Sequence, residues 1–538
     1  MKDSFRPDPH PPSAELARLS ATETLARLEA GDVSSVEVVS GLMARVEALD
    51  SSGPAISSVV TLSGSALDEA AACDRERRAG QVRGPLHGLA VLVKDNIDTE
   101  RLGATAGSFA LSGSRPAGDA ATVTALKAAG AVVLGKTNLS EWANFRSRPS
   151  SSGWSAVGGQ TRNPHALNRS PGGSSSGSGA AVASGLAPLA VGTETNGSIL
   201  CPAAACGIVG VKPTVGLVSR TGIVPIAASQ DTAGPMARTV ADVALLLEVL
   251  AGSTEVPDPE DRATRRRPPG LDSAYRAAAV LSCRGLRVGV VRDGAFSGFH
   301  GPTDAAAAVA VEALRAAGAK VVDPVLSPGR ASQVDEMVVL FHEMKAGINS
   351  YLARRCSGRG APSGRGAPAG RGAPSGRRAW LPGSLSEIIE FNRGDKRERL
   401  DLFNQDLLER AEESPGLESP DYLRALRRNR RRTRTGGIDA CCARYGIDAL
   451  VAPTMAPAWQ IDHVNGDSHS GAAWSPAAVA GYPSITVPVG TVSGLPVGLT
   501  LWGRAWTEAV LLRLAGAVEH QLGRGSAPQW RESLSILS

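Results

Sequence analysis

The chain has 538 residues, of which 42% are hydrophobic and only 4% aromatic, together with 61 glycines and 35 prolines. This hydrophobic fraction is large enough for a buried core and excludes wholesale disorder, and the many turn-forming residues favour an α/β enzyme over a β-sandwich. The net charge of +5 would suit nucleic-acid binding, but seven arginines and no acidic residue lie between Arg354 and Arg378, so the rest of the chain is slightly acidic.

The order of predicted elements favours a β-sheet covered by helices. Residues 1–13 are polar and proline-rich, and we expect them to form a flexible tail. Hydrophobic periodicity then predicts helices that alternate with short apolar strands, which is typical of α/β proteins. The predicted helices are Thr22–Ala30, Ser35–Leu49, Ala121–Ala129, Gly179–Gly185 and Thr303–Ala317, and the predicted strands are Leu89–Val93, Ala131–Leu134, Leu189–Val191, Leu286–Val291, Val321–Val322, Ala449–Ala452, Ile485–Val489 and Val497–Leu501.

One segment has a composition unlike the rest. From Ser357 to Gly376 the chain repeats Ser/Ala-Gly-Arg-Gly-Ala-Pro with a period of six. Such a segment cannot build a core, so we interpret residues 355–378 as a disordered insertion within the domain. Because loop closure depends only weakly on length, we expect deletion of the repeat to leave the fold and the turnover nearly intact.

The cysteines and the N-terminal residues indicate in which cellular compartment the protein works and whether a metal site is expected. The seven cysteines form no C-x-x-C pair, Cys441 and Cys442 are adjacent, and spacing typical of zinc sites is absent. The N-terminus has no apolar signal core, and no apolar run is long enough to span a bilayer. We therefore expect a cytoplasmic protein with reduced thiols, without a metal, a cofactor or a membrane partner.

Two short motifs suggest other functions. Gly130 to Thr137 matches the pattern of a phosphate-binding loop, but the four residues between its glycines are Ala-Val-Val-Leu. That stretch is typical of a strand ending in a turn rather than of a loop that cradles phosphate. Gly173 to Gly177 matches Gly-x-Ser-x-Gly with Ser175 in the centre, although the residues before it do not form a hydrophobic strand. Partner histidines for such a serine are available later in the chain, namely His463, His469 and His520.

A third pattern combines one lysine with two serines. Lys94 directly follows a predicted strand, Ser174 lies in a Gly/Ser-rich loop, and Ser198 follows Gly197 in a second turn. The helix and the strand predicted between the two serines have lengths that bring both loops to one end of the sheet. Lys94 reaches the same edge. This pattern predicts a site at that edge.

These residue types suit the hydrolysis of an amide. A serine hydroxyl is a weak nucleophile and must lose its proton to a base as it attacks. A lysine acts as a base only when neutral, a form that burial favours, and a bridging serine can pass the proton between them. The backbone amides of Thr195, Asn196, Gly197 and Ser198 are candidates for an oxyanion hole, in which each donor contributes ~3–4 kcal/mol in other hydrolases.

At these residues the sequence resembles the amidase signature family over nearly the whole chain. The motifs that carry the resemblance are Gly88–Asp95, Leu134–Asn138, Pro171–Ser175, Gly192–Thr193, Gly197–Ile199, Cys206–Thr214, Ala480–Pro483 and Gly494–Gly498. The resemblance implies one large α/β domain over residues 14–538, with a mixed central sheet covered by helices. It also implies Lys94 as base, Ser198 as nucleophile and Ser174 as bridging serine, preceded by a cis peptide bond.

The sequence departs from the family around the second serine. The family often has Asp and Gly-Gly before the nucleophile and Arg two residues after it, where this chain has Glu194, Thr195-Asn196-Gly197 and Leu200. An Asp–Arg pair is therefore missing. The residues of Glu194–Pro202 and of Asn138–Ser147 resemble those of the peptide amidase branch more than those of the transamidase subunit that works on charged tRNA.

We therefore expect an amidase that cleaves a carboxamide C–N bond, with a C-terminal peptide amide as the substrate and ammonia as a product. Two alternatives stay open: the amidase subunit of a tRNA-dependent amidotransferase, and a non-catalytic binding protein on the same scaffold. Trp142, Asn144 and Phe145 are candidates for the substrate wall, although core packing explains them equally well, and Asn196 is expected near the leaving amine. We expect no nucleic-acid partner, and the oligomeric state is open, with a homodimer as one option.

Overall fold

The computed structural model describes residues 11–255, 261–271, 274–279, 282–294, 296–326, 329, 332–357 and 381–534. Within these residues most strands join one mixed sheet of 11 strands, in the order β1-β3-β2-β6-β8-β7-β12-β13-β11-β9-β10. The strands are β1 (Val59–Leu62), β2 (Ala90–Lys94), β3 (Val132–Thr137), β4 (Trp154–Ser155), β5 (Gly159–Gln160), β6 (Leu189–Glu194), β7 (Val209–Lys212), β8 (Thr232–Ala237), β9 (Arg287–Val291), β10 (Lys320–Val325), β11 (Ala449–Pro453), β12 (Ser484–Val492) and β13 (Leu495–Gly503).

Helices cover the sheet, as the alternation of elements predicts. They are α1 (Pro11–Arg18), α2 (Ala21–Ala30), α3 (Ser35–Val46), α4 (Ala66–Arg78), α5 (Phe109–Ser112), α6 (Ala121–Ala128), the single turn α7 (Glu141–Asn144), α8 (Ser176–Ala183), α9 (Leu200–Cys206), α10 (Val240–Ala251), α11 (Tyr275–Ala279), α12 (Gly301–Ala316), α13 (Gln333–Ser357), α14 (Leu385–Gly394), α15 (Asp406–Glu412), α16 (Pro420–Thr433), α17 (Asp439–Tyr445), α18 (Ser475–Ala480) and α19 (Glu508–Leu522). The predicted single α/β domain with a mixed sheet is confirmed.

The strands that position the site are parallel neighbours. β2 pairs in parallel with β3 on one side and with β6 on the other, and every residue of the three strands is buried. Strands covered on both faces are mostly apolar along their length, which is why short hydrophobic runs identify β2 and β6 in the sequence. Since parallel strands end at the same edge of a sheet, the residues that end β2 and β6 lie close together.

The predicted strand at Ala131–Leu134 is real and extends further than the sequence indicates. β3 includes Gly135, Lys136 and Thr137, so the residues that match the phosphate-loop pattern form a buried strand. The ammonium group of Lys136 donates to the carbonyl oxygen of Gly103 at 3.0 Å and does not point into an open loop. The interpretation as a strand is therefore confirmed.

Both boundaries assigned to unstructured segments need correction. Residues 1–10 lie outside the described residues, but α1 already begins at Pro11, because prolines fit the first turn of a helix. The repeat lies largely outside the described residues, yet α13 continues to Ser357, and Arg355 is buried. Its guanidinium donates to the carbonyl oxygens of Ala104 and Ser114 and lies 3.3 Å from the carboxylate of Asp98.

This contact gives a test of where the insertion begins. Deleting residues 358–376 is expected to change the melting temperature little, because the deletion spares the contacts of α13 that the structure describes. Arg355→Met, in contrast, leaves the buried Asp98 without its cation, and breaking such a pair costs about 3–5 kcal/mol. Thermal unfolding of both variants checks this, and equal destabilisation by the two changes would contradict the boundary.

The arginine-rich stretch Arg424–Arg434 forms mainly α16, and its charges are partly paired. Arg428 and Arg432 contact the carboxylate of Asp335 on α13, at 2.5 and 3.3 Å. Burial lowers the pKa of Arg434, whose guanidinium donates to the carbonyl oxygen of Ala480 at 2.6 Å. The helix is therefore exposed on one face only, and its other face packs α16 against the domain.

Candidate active site

The ammonium group of Lys94, at the end of β2, is the centre of the site. Lys94 is fully buried, and its Nζ lies 2.9 Å from Ser174 Oγ, 3.0 Å from Ser175 Oγ and 2.9 Å from Thr193 Oγ1. The carbonyl oxygen of Thr193 lies 3.3 Å away. No carboxylate forms an ion pair with Lys94 among the described residues. The amine therefore has hydroxyl partners and no counter-ion in direct contact.

This environment favours the neutral amine. Burial lowers the pKa of Lys94 from 10.5 to about 7, and the more distant carboxylates of Glu194 and Asp231 oppose the shift only in part. Removing a charge from water is costly, and a buried lysine avoids that cost by losing its proton. At neutral pH a large fraction of the molecules thus carries a lysine with a free lone pair.

The two neighbouring hydroxyls differ in what their protons can do. Ser175 Oγ donates to the carbonyl oxygen of Thr193 at 3.0 Å and accepts from the amide of Thr193 at 3.2 Å. The side chain of Ser174 has Lys94 as its partner, and no second hydrogen bond of that hydroxyl is found among the described residues. The peptide bond Gly173–Ser174 is cis, as the resemblance implies. Ser174 can therefore exchange a proton with Lys94, whereas the proton of Ser175 is committed to the main chain.

Ser198 lies beside this pair, between β6 and α9. The amide of Ser175 donates to the carbonyl oxygen of Ser198 at 3.0 Å, which joins the two serine loops. Ser198 is 8% exposed, whereas Ser174 is fully buried. Within the part of the chain that the structure describes, no hydrogen bond joins the hydroxyls of Ser174 and Ser198. Of the three predicted residues, Lys94 and Ser174 are in direct contact, and Ser198 is held next to them through the main chain.

The main chain before Ser198 offers unpaired donors. In the described structure no hydrogen bond to another residue is found for the amides of Thr195, Asn196 and Ser198. The carboxylate of Glu194 accepts from the amides of Ile199 and Leu200 at 2.7 and 3.1 Å, at the start of α9. Glu194 therefore fixes the turn directly, although the Asp–Arg pair typical of the family is missing.

Gly197 gives a test of this turn. Its φ is +88°, and a methyl group at this residue would collide with the indole ring of Trp474. Gly197→Ala is therefore expected to move the turn and to lower kcat by about 100-fold, the effect of losing one well-placed oxyanion donor. Steady-state kinetics and the melting temperature of the variant check this. Gly523→Ala is the matched control, because Gly523 also has a positive φ (+84°) but open space around it. An unchanged kcat for Gly197→Ala would contradict the assignment.

The side chain of Asn196 does not point freely toward a leaving group. Its Nδ2 donates to Glu336 Oε1 at 2.6 Å and lies 3.4 Å from Ser475 Oγ. Gln230 Nε2 donates to the same carboxylate oxygen at 3.1 Å and to the carbonyl oxygen of Thr195 at 3.2 Å. Asn196 thus anchors the turn to α13, a long-range contact that sequence spacing does not reveal.

The three residues predicted as a substrate wall occupy different environments. Trp142 and Phe145 are buried in an apolar cluster with residues of α13 and α14, and the rings of Phe145 and Phe341 are 5.7 Å apart. Asn144 is half-buried and its Oδ1 accepts from Ser150 Oγ at 3.0 Å. Trp142, Ala143 and Asn144 all have positive φ, a strained conformation that is typical of functional loops. Ala143, which the sequence did not single out, lines a small cleft together with Asn96, Thr193 and Asp231.

The alternative with Ser175 as nucleophile finds no histidine partner in the described structure. His463 Nε2 is 2.8 Å from Gln160 Oε1, His469 packs against two tryptophan rings, and His520 is exposed on α19. The only group of three potential metal ligands among the described residues is Cys73, Glu76 and His87. Glu76 forms an ion pair with Arg83, and both ring nitrogens of His87 have protein partners, so this group holds itself together without an ion.

Asp231, which no sequence motif marks, also shapes the cleft. Its carboxylate accepts from Thr195 Oγ1 at 2.6 Å and from the amides of Ile226 and Ala227 at 2.8 Å. Burial raises the pKa of Asp231 to about 6. The residue lies just before β8, a strand without a recognisable sequence pattern, so only its tertiary neighbours reveal it.

No helix of the described residues is both long enough and apolar enough to cross a membrane.

Comparisons with known proteins identify the family of this chain. The family model described as Amidase matches residues 37–512. A glutamyl-tRNA(Gln) amidotransferase subunit from Roseiflexus castenholzii is 37% identical over 94% of this chain and 96% of that protein. The structure of native peptide amidase from Stenotrophomonas maltophilia is 45% identical, covers 95% of this chain and 98% of its own, and superposes with a TM-score of 0.86. A peptide amidase structure with the competitive inhibitor chymostatin is 46% identical over 96% of this chain and 99% of that one, also with a TM-score of 0.86. The chain therefore belongs to the amidase family of amide-hydrolysing enzymes.

Proposed function

We propose that this amidase hydrolyses the C-terminal carboxamide of peptides through an acyl-enzyme on Ser198 and releases ammonia. The observation that carries the mechanism is the contact of 2.9 Å between the buried amine of Lys94 and the hydroxyl of Ser174. A lysine with a pKa of about 7 and without a paired carboxylate is suited to accept a proton rather than to hold a charge.

The first half-reaction forms the acyl-enzyme. The Ser198 hydroxyl attacks the carbonyl carbon and passes its proton to Ser174, which passes its own proton to Lys94. Hydrogen bonds of this kind often form only once substrate is bound, which fits the missing contact between the two serines. The amides of the turn at Thr195–Ser198 stabilise the negative charge on the carbonyl oxygen. Protonated Lys94 then returns a proton through Ser174 to the leaving nitrogen, and ammonia departs.

The second half-reaction reverses these roles with water in place of the amine. Water gives one proton through Ser174 to neutral Lys94 as its oxygen attacks the ester carbon of acylated Ser198. The same donors stabilise the second oxyanion. The Ser198 oxygen regains the proton as it leaves, and the peptide acid is released. Every proton transfer in both steps thus runs through the lysine and the two serines.

The peptide amide as substrate rests on similarity and on the cleft. Peptide amidase structures are 45–46% identical to this chain over nearly their full length. The half-buried Asn144 offers an amide beside the cleft, where it can bond the backbone of an extended peptide. The amidotransferase subunits support a second candidate function, because one of them is 37% identical over 94% of this chain. We expect that second function to require partner chains.

A panel of amides with the purified chain alone tests the proposal. A dipeptide amide, free asparagine, a long-chain fatty amide and an aryl anilide are compared by kcat/KM, with ammonia or aniline release as the readout. We expect the dipeptide amide to be the best substrate. An advantage of the fatty amide or the anilide by more than about tenfold, or ~1.4 kcal/mol, would exclude the peptide amide but not the amidase activity. Glutamine hydrolysis that appears only after partner chains are added would support the amidotransferase.

A further inference from the structure

Three aromatic rings form a tilted stack near the two serine loops. The ring of His469 packs at a tilt against those of Trp459 and Trp474, with centroid distances of 5.3 and 6.1 Å and interplanar angles of 37° and 30°. Both tryptophans are at least nine-tenths buried, whereas His469 is exposed. Contacts with two buried rings restrict the orientation of the exposed His469 ring.

The stack reaches both loops that carry the serines of the site. The indole Nε1 of Trp474 lies where a methyl group on Gly197 would fall, so this ring packs directly against the turn before Ser198. At the other end, Trp459 Nε1 donates to Asp467 Oδ1 at 3.0 Å. Asp467 accepts from the amide and the hydroxyl of Ser152, and Ser152 packs against Gly173.

The chemistry of the exposed ring indicates what it binds. Desolvation by the surrounding protein lowers the pKa of His469, against the opposing charge of Asp467, and so favours the neutral imidazole. A neutral flat ring backed by two indoles offers an apolar, aromatic face without a charge. Aromatic rings prefer offset or edge-on contacts with other aromatic rings, and each such pair adds a measurable preference beyond burial.

We propose that His469 is a specificity-determining residue that packs against an aromatic side chain of the acyl part of the substrate. This inference rests on the proposed function, because the oxyanion turn fixes the carbonyl group and the stack lies against that turn. The side chain of the residue that carries the carboxamide then lies against the exposed part of the His469 ring, beside the turn that Trp474 supports. The enzyme therefore prefers peptide amides that end in an aromatic residue.

Two dipeptide amides that differ in one side chain test this inference. We expect Ala-Phe-NH2 to be hydrolysed with a higher kcat/KM than Ala-Ala-NH2. His469→Ala lowers this ratio by about threefold to tenfold, mainly through the KM of the aromatic substrate, and His469→Phe restores it. Val464→Ala is the matched control, because Val464 lies in the same segment and is 84% exposed. An aromatic-to-alanine ratio that is unchanged in His469→Ala overturns the inference.

The test separates this inference from the proposed function. If simple amides are hydrolysed but neither dipeptide amide is, the peptide amide is the wrong substrate. Phenylacetamide and propionamide then provide the aromatic and the aliphatic acyl group. A ratio of these two that falls in His469→Ala supports the aromatic contact, and an unchanged ratio overturns it. His469→Phe shows in either case whether a flat ring or the imidazole nitrogens matter.

Discussion

Ser198→Ala is expected to abolish turnover and covalent labelling by a fluorophosphonate probe. The hydroxyl of Ser198 is the only one we assign to attack, so its loss removes the acyl-enzyme pathway. Removal of a serine nucleophile typically lowers kcat by several orders of magnitude, on the order of 10⁶ in a well-studied hydrolase. Because the residue is small and 8% exposed, the variant should keep its fold. Mass spectrometry of the labelled protein locates the modified residue.

Two further serine variants test whether the loss of turnover and labelling is specific to Ser198. Ser112→Ala, an exposed serine on α5, is the control and should leave labelling and turnover unchanged. Ser175→Ala should reduce turnover without abolishing labelling, because Ser175 orients Thr193 and Lys94 but keeps its proton on the main chain. Near-normal turnover in Ser198→Ala together with complete loss in Ser175→Ala would make Ser175 the nucleophile.

The local sequence predicts the short apolar strands, the loops at their ends and the starts of helices. β2, β3 and β6 are short apolar runs, and Lys94 and the serine loops follow from where those runs end. The start of α3 at Ser35 follows from a capping box in which Ser34 and Glu37 bond each other's backbone amides. The local sequence does not predict where each element ends. The strand predicted at Leu189–Val191 continues to Glu194, because antiparallel pairing with β8 extends it.

Contacts between distant segments are what the sequence does not reveal. β8 contains Gly234 and Pro235 and shows no alternation, since both of its faces are buried, so no periodicity marks it as a strand. The attachment of Asn196 to Glu336 spans 140 residues, and no motif connects the two positions. Asn196 is expected beside the leaving amine because it replaces a glycine that is common in the family, and the structure shows that its side chain anchors the turn. The positive φ of Ala143 likewise depends on the surrounding structure rather than on its residue type.

Activity is expected to rise with pH through an ionisation near pH 7 that belongs to Lys94. Burial disfavours the charged form and lowers the pKa of this amine from 10.5 to about 7. Below that pH Lys94 holds its proton and cannot accept another from Ser174, so kcat/KM should fall about tenfold for each pH unit. Above it the amine is neutral and the rate reaches a plateau. Lys94→Met should remove this activity while keeping the fold, and Lys320→Met, at an exposed lysine, should change neither.

The carboxylate of Asp231 allows the ionisation to be assigned. Its negative charge raises the pKa of Lys94, so Asp231→Asn should move the acidic limb of the pH profile to lower pH without removing it. The pKa of Asp231 itself is about 6, and if that group governed the limb, the substitution would abolish the limb instead. A limb that disappears only when a histidine is replaced would contradict both assignments. kcat/KM measured from pH 5 to pH 9 on the wild type and Asp231→Asn therefore distinguishes a lysine base from a carboxylate and from a histidine.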